Sequence, residues 1–159
     1  MANKIKHRSA IANYLKIKDK YVRLTVGFSE LNEDFSAQTS SKRYIHQKGA
    51  TTNIVGYEWS SSFSTDLIET EEPVKVIQDI AEKELVGEDC IYDYLIVDLD
   101  SFDESSNTYL KARERKIAIV VDSLEDNDGE MVYSGSFNSV TDWKEGSFNP
   151  TSAEFTATV

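Results

Sequence analysis

Residues 55–65 read VGYEWSSSFST, and their alternation governs how the rest of the chain is understood. The odd positions are Val55, Tyr57, Trp59, Ser61, Phe63 and Thr65. The even positions are Gly56, Glu58, Ser60, Ser62 and Ser64, leading to Asp66. Side chains along a strand point alternately to opposite faces. Aromatics on one side and hydroxyls on the other therefore predict a long strand with one buried and one wet face. The run exceeds the usual strand of about 5–6 residues. Strands of that length often project beyond a domain or line a shared surface.

On either side of this run the chain is rich in strand signals. Residues 21–26, YVRLTV, predict a short strand, and GFSELNED after it a loop opened by Gly27. The polar stretch 36–47 predicts a strand exposed on both faces, turning at Gly49. Residues 91–99, IYDYLIVDL, predict a strand; 100–107 an acidic turn; 109–121 an alternating strand. Asp128-Gly129 predicts a type I′ hairpin into a return strand at 131–140. One helix is predicted at residues 73–86. Pro73 sits in its first turn, Glu71 and Glu72 at its positive end, and Gly87 stops it. Its apolar stripe of Val74, Ile77, Ile80, Ala81 and Leu85 suits packing on a sheet. With no alternation of strands and helices, the order predicts a mainly antiparallel β fold with one flanking helix.

Composition narrows the function. The chain has 159 residues, which fits one domain spanning 1–159. The single cysteine, Cys90, cannot close an internal disulfide, which fits an intracellular folding environment. The basic opening, MANKIKHRSAIANYLKIKDKY, predicts a mobile, solvated and extended segment over residues 1–20. The net charge of −11 opposes binding to nucleic acid or anionic membranes, since such binding rests on Lys and Arg neutralising phosphate. No apolar run is long enough to span a membrane. No catalytic residues, cofactor or metal site are expected. His7, His46 and Cys90 lack zinc spacing. Asp98, Asp100 and Asp103 superficially resemble a calcium loop but lack its fifth and sixth positions. Asp126 and Asp128 are read as turn formers. Trp59 and Trp143 are assigned to core or interface packing, because base stacking normally comes with a basic groove.

Several stretches together resemble the tail tube (major tail) proteins of tailed bacteriophages, of the Gram-positive siphophage type. They are MANKIKHRSAIANYLKI, SKRYIHQKGATTNIVGYEWSSSFSTD, DYLIVDLD followed by KARERKIAIVVDSLEDNDGEM, and the closing WKEGSFNPTSAEFTATV. They run in order along nearly the whole chain. Ser147 departs from the more usual Thr, and VRLTVGFSELNED matches only loosely. The resemblance implies a β-sandwich or β-barrel tail tube fold, two packed antiparallel sheets with a flanking helix. It implies homohexameric rings stacked into a hollow tube whose inner wall is a shared β-barrel. Tape-measure, tail terminator and distal tail proteins are the implied partners. DNA transits the lumen without specific binding. Assembly is in the host cytoplasm and the final location is the virion tail tube. A tube subunit of a contractile injection system and a carbohydrate-binding β-sandwich stand as alternatives. Glu58, Ser60, Ser62, Ser64 and Asp66 are expected to face the lumen. Phe148, Pro150 and Phe155, on the uncharged, strand-like end, are expected at inter-subunit or inter-ring contacts.

Overall fold

The computed structural model describes residues 3–158. Its strands are β1 (Ile11–Ile17), β2 (Lys20–Arg23), β3 (Phe28–Asp34), β4 (Ala37–Lys42), β5 (Thr51–Tyr57), β6 (Ser60–Asp66), β7 (Ile91–Asp98), β8 (Phe102–Asp103), β9 (Thr108–Asn127), β10 (Glu130–Ser139), β11 (Lys144–Asn149) and β12 (Glu154–Ala157). The α-helix α1 (Glu72–Glu82) lies between β6 and β7. A ten-stranded antiparallel sheet runs β2-β1-β7-β9-β10-β6-β3, with β11, β12 and β8 added beside β9, and β4 and β5 form a separate two-stranded sheet. The expected mainly antiparallel β fold with one flanking helix is what forms, with its strands joined through β9 into one connected set and the β4–β5 hairpin projecting from it. The 20 residues of β9 make this possible, because its two ends take different partners.

The alternation of residues 55–65 holds in part. Trp59, Ser61, Phe63 and Thr65 are buried, with partly buried serines between them. Val55 and Tyr57 are instead exposed, because the run breaks after Tyr57 and β5 leaves the main sheet to pair only with β4. A repeat of two requires a strand but does not require the same sheet along its length.

Alternation on β7 explains where the core sits. Tyr94 and Ile96 face one cluster with Leu15, Trp59, Phe63, Ile77, Ile117 and Phe137. Leu95 and Val97 face the other, with Ala12, Tyr21, Ala112 and Phe148. The central sheet is therefore covered on both faces. On the first, α1 buries Val74, Ile77 and Ile80; Phe63 and Phe137 stack with centroids 4.8 Å apart. Each such side chain contributes about 1.5–3 kcal/mol on burial.

Three further expectations change. The N-terminal segment is not mobile and solvated throughout. Residues 11–17 form β1, with Ala12, Leu15 and Ile17 buried, and Lys6 pairs with Asp98 and Asp100. Residues 1–2 lie outside the described ones. The basic residues at the start, and the tight turn at Lys18 and Asp19 with φ of 50° and 66°, had masked an alternating strand. GFSELNED is not a loop but contains β3, paired with β6. A register shift between Phe28 and Glu30 interrupts its alternation, so no clean period of two reaches the sequence. The helix is shorter than expected, ending at Glu82, with Glu84 at φ 49° before Gly87. The Asp128-Gly129 turn forms as expected, both residues with positive φ.

Candidate assembly surfaces

Register places four strands side by side with one shared face. Ser60, Ser62, Ser64 and Asp66 on β6 stand beside Asn138, Ser136, Ser134 and Val132 on β10. Those in turn stand beside Ala118, Val120, Ser123 and Glu125 on β9. On the other side of β6 lie Asp34, Asn32 and Glu30 of β3. This face is made largely of short hydroxyl and amide side chains with four carboxylates, and none of these positions holds Lys or Arg. Its side chains bond locally. Ser62 Oγ donates to Glu30 Oε1 at 2.9 Å, Asn32 Nδ2 donates to the same oxygen at 3.1 Å, and the Ser123 and Ser134 hydroxyls are 2.6 Å apart. The opposite face of the same strands carries Phe63, Tyr133 and Phe137 and is buried.

The structure therefore brings Ser60, Ser62, Ser64 and Asp66 together on one half-buried face. Glu58 falls outside β6, at the root of the β4–β5 hairpin, where its N–H donates to the Ser36 carbonyl. The polar face also contains Glu30, Asn32, Ser134, Ser136 and Asn138, which sequence reading did not assign. Period two along 131–140 could have paired the β10 residues with those of β6. The bulge in β3 hid the others.

The C-terminal residues divide. Phe148 is 1% exposed and packs against Tyr14, with centroids 4.7 Å apart, and edge-on to Tyr21. The expectation that Phe148 makes contacts between subunits is corrected, because a side chain buried within its own subunit has no surface to offer. Phe155 is half-buried beside it on β12, directly across from it in register. Pro150 is exposed in the intervening turn.

Two edges of the four-stranded region are open. β3 ends the sheet on one side. On the other, β7 covers β9 only over residues 112–118 and β8 over 108–109. Among the described residues, 119–127 of β9 therefore have a strand partner on the β10 side alone. Beside this free edge and the end of α1 is an apolar groove of about 900 Å³, bordered by Leu85, Val86, Ile119 and Leu124. The β4–β5 hairpin is exposed along both strands. Tyr44 and Ile45 at its tip, and Ile54, Val55 and Tyr57 on its returning strand, are apolar and open to solvent.

Trp59 and Trp143 are packing residues, as expected. Their rings meet edge to face at 5.1 Å, and the Arg115 guanidinium lies 5.1 Å from one and 4.6 Å from the other. Arg115 is anchored by donating through Nε and Nη2 to the Thr141 carbonyl, at 2.9 and 2.6 Å. Burial pushes the Tyr94 phenol up to about 12, against the Asn13 amide that donates to it at 2.6 Å. The Lys6 ammonium holds Asp98 and Asp100 below the usual carboxylate range. Asp98 also caps the following turn through the Asp100 N–H, and Asp103 is taken up by Ser105 and Ser106. These three acids serve local turns. Among the described residues no group of three or more His, Cys, Asp or Glu could hold a metal ion.

The architecture is a mainly antiparallel β fold with one helix, a wet sheet face and a protruding hairpin. Three solved structures share this fold. A chain from the tail of an empty gene transfer agent particle, refined helically with C6 symmetry, superposes with a TM-score of 0.62 at 12% identity, covering 89% of this chain and 98% of that one. A chain from the virion of a native gene transfer agent gives 0.61 at 13% identity, with the same coverage of both chains. A chain from the six-fold symmetrised baseplate of the anti-feeding prophage gives 0.56 at 8% identity, covering 94% of this chain and 97% of that one. At such identities the likeness is one of fold. No family model matches the sequence, and no curated protein matches it.

Proposed function

We propose that the chain is a tail tube subunit of a tailed phage or phage-like particle. Copies join edge to edge into six-fold rings, and rings stack into a hollow tube whose bore passes DNA. The single observation that carries this is the four-stranded polar face bounded by two open edges. β9, β10, β6 and β3 are successively antiparallel, so β3 runs opposite to β9. The outer edge of one copy's β3 can then pair antiparallel with residues 119–127 of another copy's β9, continuing the same alternation around a closed wall. Closure removes edges that would otherwise template aggregation. The polar face then lines the bore, with Ser60, Ser62, Ser64 and Asp66 on it. Short hydroxyls and scattered carboxylates offer phosphate no cation to exchange for its counterions, so DNA slides without sticking. The six-fold symmetry of the tail and baseplate structures that share the fold supports the ring number.

The sequence resemblance adds a tape-measure protein in the bore before DNA, terminator and distal proteins at the ends, and a siphophage origin. The baseplate match favours a second reading, a tube inside a contractile sheath; a sheath on purified particles separates the two. Negative-stain electron microscopy of the concentrated protein tests the proposal. Rings or tubes of constant diameter are expected. A chain that stays monomeric at every concentration and salt, and beside an initiating tail tip, overturns it.

A further inference from the structure

Both open edges of the polar face are acidic. β3 reads FSELNED and residues 119–127 of β9 read IVVDSLEDN; neither stretch holds Lys, Arg or His. Glu33 is neutralised by Arg113 at 3.0 Å. Glu30 and Asp34 on β3, and Asp122, Glu125 and Asp126 on β9, are all exposed. Among the described residues these five carboxylates join no ion pair. Local bonds hold three of them without supplying positive charge. Glu30 accepts from Ser62 and Asn32, Asp34 from the Ser36 N–H at 3.0 Å, and Asp126 from the Gly129 N–H at 2.7 Å. The surroundings add little counter-charge. Arg8 and Arg23 line a cleft with Glu30, but Arg8 donates to the Asn13 side chain and the Ile11 carbonyl. Glu84 and Glu88 line the groove beside the β9 edge, and Lys83, next to Glu84 in sequence, lies 3.9 Å from Asp79.

We propose that these edges make ring closure salt-gated: like charges hold free subunits apart, and screening by salt lets β3 of one copy join β9 of the next. The inference rests on the tube reading and adds what regulates its joint. Paired strands lie about 4.8 Å apart, so closure brings the two acidic edges together over the length of β3. Like charges facing each other across a strand pair oppose pairing. The screening length is about 30 Å at 0.01 M salt, about 8 Å at 0.15 M and about 3 Å at 1 M. Repulsion across the joint is therefore nearly unscreened in dilute buffer, persists at cell-like ionic strength, and vanishes in concentrated salt. The same charges guard each free edge against chance pairing before assembly. Backbone pairing and apolar contact still drive closure, so the carboxylates set its rate and its salt dependence, not its geometry.

A charge exchange tests this. Subunits are mixed with an initiating tail tip, and the initial rate of tube growth is followed by light scattering in NaCl from about 0.01 M to about 1 M. Wild-type growth should quicken about tenfold or more over that range. Asp122→Lys/Glu125→Lys changes two exposed residues of β9 and should keep the wild-type circular dichroism spectrum. Its basic edge meets an acidic β3, so its tubes should grow fastest at low salt and slow as salt rises. Adding Glu30→Lys/Asp34→Lys makes both edges basic and should restore growth that quickens with salt. Wild-type tubes whose growth is flat or slows with salt overturn the gate and leave the tube reading standing. So does growth of the Asp122→Lys/Glu125→Lys chain that quickens as the wild type does, since salting-out of apolar surface would then explain both. If neither chain assembles at any salt, both the gate and the tube reading fall.

Discussion

Phe148 shows how a residue's role is decided by what covers it. In sequence it belongs to an uncharged, strand-like tail that invites an interface. In the fold it fills the second core between Tyr14, Tyr21 and β12. Phe148→Ala should therefore destabilise the isolated subunit by about 3–5 kcal/mol, the usual cost of removing a buried aromatic ring. Chemical denaturation of dilute monomer measures this. An unchanged midpoint with impaired assembly would return Phe148 to the interface. Nearby, Gly146 is required by proximity, since a Cβ there would collide with the Thr156 carbonyl across the β11–β12 pair. Gly135 faces the same limit against the Val120 carbonyl, beside the register shift in β10–β9. Neither glycine has positive φ; both mark places where two backbones approach closely.

Among elements, those with undisturbed alternation were legible from sequence. β6, β7, the middle of β9, β10 and the Asp128-Gly129 turn follow from period two and turn chemistry. α1 follows from its stripe of Val74, Ile77 and Ile80. Two of the longer strands were not legible. β1 is preceded by Lys4, Lys6, His7 and Arg8, which resemble a free tail until Lys6 is seen to pair with Asp98 and Asp100. β3 carries a bulge that offsets Phe28 from Leu31. The candidate bore face was half legible for the same reason. β6 announced it through its serines, but its width depends on cross-strand register with β3 and β10, which one strand's sequence does not encode. The terminal hairpin carries its own consequence. β12 pairs with β11, Phe155 packs toward Phe148, and the Thr158 N–H donates to the Glu145 carbonyl at 2.8 Å. Removing residues 150–159 should thus lower the melting temperature of the monomer, by several degrees if about 1–2 kcal/mol is lost, as well as weaken assembly. Circular dichroism melts and size-exclusion chromatography together check this. A truncated chain that melts with the full-length one would show that the last strand serves only contacts between copies.

At the scale of the whole molecule the sheet separates two environments. One face of β9, β10, β6 and β3 packs on α1 and the aromatic core, and the other holds serines, asparagines and carboxylates. If the second face lines a bore, its lack of cations is what lets DNA move. Ser136→Lys with Asp66→Lys adds two positive charges to that face in every subunit and removes one negative charge. Neither position lies in the hydrophobic core, so tubes should still form. DNA ejection from particles built with this chain should slow, because each ammonium exchanges for a condensed counterion on the phosphate backbone. The delay should shrink as salt rises, since the release of counterions loses its advantage. Glu72→Lys/Gln78→Lys on α1 provides the control, making the same net change in charge on the side of the sheet opposite that face. It should leave ejection unchanged. Equal delay from both chains would mean that net charge, not the bore, governs transit. Normal ejection of the double lysine chain at every salt concentration would place the polar face outside the bore.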